Sequence, residues 1–270
     1  MEEPKALVLT GYGINCDYET QFALQSNGAI AKRVHVNDLI SGKESLENFQ
    51  ILGLPGGFSY GDDISAGKVL ANKIRSNLKE QILQFINDGK LIFGFCNGFQ
   101  IMVKAGLLPS PNSSLEQTVT LSNNDSGRYE DRWIFLKEQK SKCVFTKGID
   151  LIHLPVAHGE GKFFADSRAL KSLQENRQVV FKYCNSKGTL ANGVFPLSPN
   201  ASLQDIAGIC DKTGRIFGMM PHPERCLSVF NRPDWEFLKE KALRSGGKLE
   251  TLGDGNLIFK NAVEFVKENF

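Results

Sequence analysis

The chain of 270 residues has no surplus of either charge: 32 lysines and arginines stand against 30 aspartates and glutamates, a formal net charge of +2. Its basic residues are dispersed and form no stripe interleaved with aromatics, so neither nucleic acid nor a membrane surface is expected as a partner. No apolar run approaches transmembrane length. The start, Met1-Glu2-Glu3-Pro4, is acidic and leads straight into a short strand, which does not fit a secretory signal. The six cysteines (16, 96, 143, 184, 210, 226) form no C-x-x-C pair, and several fall in strand-like segments. A disulfide framework is therefore not expected, and a reduced, cytoplasmic protein is. No His/Cys spacing matches a metal site, so no metal is proposed. Nor is there a G-x-x-x-x-G-K-[ST] loop or a G-x-G-x-x-G opening a helix, which leaves nucleotide binding weakly supported.

What is present begins at Gly94-Phe95-Cys96-Asn97-Gly98. It follows the apolar run Leu91-Ile92-Phe93 and precedes a helix-compatible stretch from Phe99 to Ala105. Strand, sharp turn and helix, with a cysteine between two glycines, have the form of a nucleophile elbow carrying a thiol. The glycines suit a strained backbone and a close approach of strand to helix. The sulfur then sits at the positive end of a helix dipole, a usual setting for a nucleophilic cysteine. A buried core cysteine is the competing reading.

Far along the chain stands Pro221-His222-Pro223-Glu224-Arg225, after the apolar run Ile216 to Met220. The two prolines bar a regular helix and predict extended backbone, in which residues two apart share a side. Glu224 would then orient His222 and raise its basicity, as a thiol-activating base requires. Cys96, His222 and Glu224 make a plausible triad. Among the other thiols, Cys226 is the one close to the base in sequence.

Strands and helices alternate through the first hundred residues: strands at 6–9, 32–36 and 51–54, and helices from 17, from 67 and to 87. This predicts an α/β domain with a mostly parallel central sheet and helices on both faces. From about 117 to 211 the pattern turns strand-rich, which predicts an antiparallel extension. Residues 110–130 read as a surface loop, and 231–270 as a helical C-terminal part. One domain, 1–270, suffices. The Pro55-Gly56-Gly57-Phe58 loop after the third strand suits an oxyanion hole beside a cysteine elbow, although a plain turn is also open.

The elbow with Phe99 and Gln100, together with Pro221 to Arg225, resembles the class I glutamine amidotransferases. Gly56 to Asp62, Pro155 to Phe163, Ile206 to Ile209 and Gly13 to Asp17 are similar to one branch, the glutaminase subunits of phosphoribosylformylglycinamidine synthase. The resemblance implies a flavodoxin-like fold, glutamine as substrate, and ammonia passed on to a synthase in purine biosynthesis. It implies Cys96, His222 and Glu224 as the triad and the amides of Gly57 and Asn97 as oxyanion donors. It also implies Gln100, His158 and Gly159 as contacts to glutamine. No cofactor is expected in this chain; ATP and magnesium belong on the synthase partner, and a small accessory subunit completes the complex. Two segments depart from the branch: the 58–67 loop has no arginine after Gly61-Asp62, and Ser198-Pro199-Asn200-Ala201-Ser202 replaces Asn-Pro-Asn-Gly-Ser. A cysteine hydrolase with another substrate and a non-catalytic scaffold on the same fold are the alternatives.

Overall fold

A computed structural model of the protein describes residues 3–110 and 112–270; the acidic start Met1-Glu2 and Pro111 of the expected surface segment fall outside the described residues. Strands β1 (Lys5–Thr10), β2 (Ile30–His35), β3 (Ile51–Leu54), β4 (Leu91–Phe95) and β11 (Ile216–Met219) pair in parallel. The nine-stranded sheet continues from β11 through β10 (Ile206–Cys210), β9 (Val179–Cys184), β6 (Glu130–Glu138) and β7 (Leu151–His158), each antiparallel to its neighbour. The order 2-1-3-4 in the parallel half is that of a flavodoxin-like sheet. The antiparallel half is the strand-rich extension that the sequence pattern predicts.

Both faces are covered, which is why the parallel strands read as continuous apolar runs. Along β1, Leu7 and Leu9 enter one core and Ala6 and Val8 the other, all of them buried. The first core takes Leu70 and Ile74 of α3 (Lys68–Asn77), Phe85 of α4 (Lys79–Asn87) and Phe99 and Met102 of α5 (Asn97–Lys104). The second takes Ala23 and Leu24 of α1 (Asp17–Ser26) and Ile258, Phe259, Ala262, Val263 and Val266 of α8 (Asn256–Asn269). Helix α2 is the short Val36–Ile40, and α6 is Ser167–Glu175.

The two helices of the C-terminal part behave differently. In α8 the Phe259 ring lies 5.8 Å from Phe93 and 5.7 Å from Phe95, so this helix is a layer of the domain. Helix α7 (Trp235–Arg244) buries no residue at all, and Phe237 is 67% exposed. Segment 110–130 also departs from the surface-loop reading. Its Val119 and Leu121, two apart on β5 (Val119–Ser122), are buried against the first core, and β5 pairs with β8 (Lys162–Ala165). The strand-rich run expected from about 117 covers this pair, and where it overlaps the surface-loop reading the strand prevails.

Phe259→Ala should therefore cost about 3–5 kcal/mol of stability, as for a fully buried aromatic, measured by urea unfolding. Phe237→Ala should stay within about 0.5 kcal/mol. Equal losses would show that α8 is no more a core layer than α7.

Candidate active site

Strands β3, β4, β7 and β11 all deliver residues at their carboxyl ends to one cleft, the place where an open α/β sheet presents ligand sites. Cys96 joins β4 to α5 with φ 50° and ψ −109°, a conformation costing an L-residue about 1–3 kcal/mol. A Cβ on Gly94 would lie 2.5 Å from Met102 Sδ, and one on Gly98 only 1.8 Å from the Leu54 carbonyl oxygen. Both glycines are thus required, as the elbow reading expects. The Cys96 thiol donates to the Ala157 carbonyl at 3.5 Å.

Strand β11 runs beside β4 in register Met219 to Phe95, so the segment after it reaches the same cleft. His222 is held there by its N–H on the Pro155 carbonyl at 2.9 Å. Its Nδ1 meets Glu224 Oε1 at 2.5 Å, with both side chains buried. The pairing is as expected, but the route is not. Pro223–Arg225 forms a 3-10 turn, so Glu224 folds back under the ring through a turn and not by strand alternation. Burial disfavours the imidazolium, yet the Glu224 carboxylate outweighs it. With Cys96 and Cys16 as further favourable neighbours, the His222 pKa stands well above its ordinary value. Since Nδ1–H goes to Glu224, Nε2 is the nitrogen left for chemistry, and it has no hydrogen-bond partner among the described residues.

Gly57 has φ 149°, and a Cβ there would strike the Gly13 carbonyl oxygen at 2.6 Å. The bridge between Ile14 and Gly57 uses the amides of Asn15 and Phe58, not that of Gly57. Asn97 opens α5, where first-turn amides have no intrahelical acceptor. Its side chain buttresses the glycine loop: Oδ1 accepts from Ser59 N–H at 3.1 Å, and Nδ2 donates to Asp62 Oδ1 at 3.2 Å and Gln100 Oε1 at 2.9 Å.

A cavity of about 400 Å³ opens over Cys96, bounded by Gly57, Gln100, His158 and Gly159 and by Asp62, Arg128 and Glu160. Five of the eight residues named from the sequence line this cavity, Cys96, Gly57, Gln100, His158 and Gly159, whereas His222, Glu224 and Asn97 are buried and do not line it. Gln100 is there, but both ends of its amide are engaged, Nε2 donating to the Glu160 carbonyl at 2.6 Å. His158 is 2% exposed. Asn124 Nδ2 donates to the His158 and Arg128 carbonyls, which makes Asn124 Oδ1 the acceptor facing His158 Nδ1 at 3.0 Å. The proton of neutral His158 is therefore on Nδ1. Burial, with the His222 charge added, pushes its pKa down to about 3, so it is no rival base.

Several residues of the site escaped the sequence reading. Lys104, 4% exposed, donates to Ser65 Oγ at 3.0 Å and Glu160 Oε2 at 3.2 Å, and Glu160 accepts from Ala66 N–H at 3.1 Å. A lysine inside the apolar stretch of α5, one turn after Gln100, was the available signal. Cys226 is not the thiol beside the base: it is buried, with its pKa raised by that burial, and donates to the His153 carbonyl at 3.8 Å. Cys16 takes that place, 4.0 Å from His222 Nδ1. Cys16, His222 and Glu224 have ligand atoms within 4.8 Å of one another. A metal fits them poorly, because Nδ1 and Oε1 at 2.5 Å leave no room for an ion between them and Arg225 Nη2 donates to the sulfur at 3.0 Å. All six cysteines are free, and no helix among the described residues is long and apolar enough to cross a membrane.

The family model described as the CobB/CobQ-like glutamine amidotransferase domain matches residues 3–266. Phosphoribosylformylglycinamidine synthase subunit PurQ of Methanococcus maripaludis is 52% identical over 264 residues, covering 97% of this chain and 97% of that one. The subunit of the same name from Dehalococcoides mccartyi is 45% identical over 271 residues, covering 99% and 100%. Among solved structures, PurLQS from Thermotoga maritima aligns with a TM-score of 0.71 at 28% identity, covering 98% of this chain and 100% of that chain.

His158 generates a pH test. A histidine that titrates near 6.5 when unfolded and near 3 when folded binds its proton mainly in the unfolded chain between those values. Its contribution to stability is thus complete above the unfolded pKa and is lost as pH falls toward the folded one. The loss approaches about 1.4 kcal/mol per pH unit. His158→Gln removes this titration, so its stability deficit against wild type should shrink between pH 7 and pH 5 in urea unfolding. Parallel stability curves would contradict a buried neutral imidazole.

Proposed function

The chain belongs to the CobB/CobQ-like glutamine amidotransferase family, and from that premise we propose that Cys96, His222 and Glu224 hydrolyse the side-chain amide of glutamine. The chain acts as the glutaminase subunit of phosphoribosylformylglycinamidine synthase, an enzyme of purine biosynthesis. The observation that carries the site reading is the buried His222–Glu224 hydrogen bond at 2.5 Å in the same cleft as a cysteine held at φ 50°.

The Cys96 sulfur, its proton having passed to His222 Nε2, attacks the amide carbon and forms a C–S bond. The carbonyl oxygen, now anionic, takes the amides of Gly57 and Asn97 as its proposed donors. His222 gives its proton from Nε2 to the departing nitrogen, the C–N bond breaks, and ammonia leaves behind a thioester. The ring then takes a proton from water, which attacks the thioester and releases glutamate and the thiol. A raised His222 pKa suits this role, since the proton to be donated is in place at neutral pH.

Gln100, His158 and Gly159 are the proposed contacts to bound glutamine. Gln100 acts as a wall with its amide committed, and neutral His158 lines the cavity beside it. Arg128 on one side and Asp62 on the other give the cavity both signs of charge, which suits a zwitterionic amino acid. Ammonia passes to a synthase partner that converts formylglycinamide ribonucleotide to formylglycinamidine ribonucleotide with ATP and magnesium, and a small accessory subunit completes the assembly. The chain itself carries no ATP-binding motif, and its proposed compartment is the cytoplasm.

In the assembled complex, Cys96→Ala should abolish glutamine-dependent synthesis and leave the ammonia-dependent reaction intact. His222→Ala should lower glutamine turnover by about 10²–10⁴-fold, and Glu224→Gln by less, because it orients a proton carrier and does not move the proton itself. Cys226→Ala should be close to wild type. Most of the glutamine-dependent rate surviving in Cys96→Ala would sink the mechanism.

A further inference from the structure

Cys16 lies outside the reaction just described, yet three parts of the site meet on it. Its backbone N–H donates to the Gly56 carbonyl at 3.2 Å, and that of Asn15 to the same oxygen at 3.3 Å, so this residue backs the glycine loop. Its sulfur stands 4.0 Å from His222 Nδ1, the same ring nitrogen that meets Glu224. Arg225 Nη2, from the turn that carries Glu224, donates to the same sulfur at 3.0 Å, and the thiol donates onward to Asn15 Oδ1 at 3.3 Å. The packing leaves no slack: a Cβ on Gly56 would lie 2.8 Å from His222 Cε1 and 3.3 Å from Cys16 Sγ. Cys16 is 1% exposed and fixed at the start of α1, behind the chemistry and away from the cavity that admits substrate.

We infer that Cys16 is a positioning residue that locks the imidazole of His222 to the glycine loop bearing the oxyanion donor. Through Arg225 it also fixes the turn that holds Glu224. Base and oxyanion donor sit on loops far apart in sequence, after β11 and after β3, and main-chain contacts alone do not set one against the other. The sulfur packs against the His222 ring and the Gly56 backbone at once. Its bond to Arg225 gives the contact a direction that an alkyl group of equal volume would lack. Misplacement of reacting groups by an ångström can cost up to about a hundredfold in rate. Because Cys16 does not touch the cavity, its loss should act on turnover and not on glutamine binding.

This inference rests on the glutaminase reading, so its test separates the two. Cys16→Ala, Cys16→Ser, Arg225→Gln and the double variant Cys16→Ala/Arg225→Gln are assayed in the complex for glutamine-dependent and ammonia-dependent synthesis. Ammonia-dependent synthesis, unchanged, reports that each variant folds and assembles. Cys16→Ala should lower kcat for glutamine about tenfold or more, with KM within about twofold. Cys16→Ser keeps a donor and an acceptor on the same carbon and should recover part of that loss. The double variant should lose no more than Cys16→Ala alone, because both remove the same contact. Should Cys16→Ala fail to assemble, the kcat of Cys16→Ser and its coupling to Arg225→Gln decide the matter in the same way. Wild-type kcat in the cysteine variants, a loss confined to KM, or fully additive losses would each overturn the positioning role. Absence of glutamine-dependent synthesis in the wild-type complex would instead overturn the glutaminase reading.

Discussion

The contact on which the site depends is the approach of α5 to the end of β3, where a Cβ at Gly98 would fall 1.8 Å from the Leu54 carbonyl oxygen. That closeness sets two loops side by side. One is the elbow, with Cys96 and the Asn97 amide; the other is the loop after Leu54, with the Gly57 amide. On the proposed mechanism a nucleophile and two amide donors must converge on one carbonyl group, and their tolerance is a fraction of an ångström. The fold meets it with backbone-to-backbone packing, the least deformable kind available, and accepts a strained Cys96 in exchange. Asn97 completes the joint, its side chain holding Ser59 and Asp62 of the same glycine loop.

The electrostatics of the cleft separate its two histidines by their neighbours. His222 has a carboxylate at 2.5 Å, which holds its pKa well above the ordinary value against the effect of burial. His158 has only an amide at 3.0 Å, is buried, faces the charge of His222, and is held neutral. Two imidazoles in one cleft thus take opposite states without either being exposed. Burial alone would depress both. The Glu224 carboxylate reverses the outcome for one of them, and that difference makes the acid–base assignment.

The elbow, the His222–Glu224 pair and the glycine loop were legible because each is local. Glycine spacing, proline placement and an acid two residues from an imidazole leave marks within a few positions. Even so, the mark at Glu224 pointed to extended backbone where a 3-10 turn does the work, since Pro223 can open such a turn as readily as it breaks a helix. What was not legible is what distance in sequence hides. Cys16 meets His222 across 206 residues, and Lys104 meets Glu160 across 56. Proximity along the chain instead favoured Cys226, which the turn carries away to the His153 carbonyl. The parallel and antiparallel halves of the sheet were visible in the hydrophobic pattern. Val119 and Leu121 fell within the strand-rich run from 117 as well as in the polar segment 110–130, and the strand reading is the one that holds.

The hidden contacts share one property: they tie loops to one another. Glu160 accepts from Ala66 at the far end of the glycine loop and pairs with Lys104 of the nucleophile's helix, while its carbonyl takes the Gln100 amide. The turn holding His158 and Gly159 is thereby bound both to the oxyanion loop and to α5. Displacing that turn must break these bonds or carry the other two loops with it. The His158–Glu160 wall of the cavity and the loop carrying Gly57 are consequently mechanically linked. A Gly56–Gly57 peptide that could turn over at little cost in an isolated loop is restrained here from both ends, by Ile14 and Asn15 on one side and by Asn97 and Glu160 on the other. Any change of state at Gly57 therefore has to be a movement of the whole loop assembly and not of a single side chain.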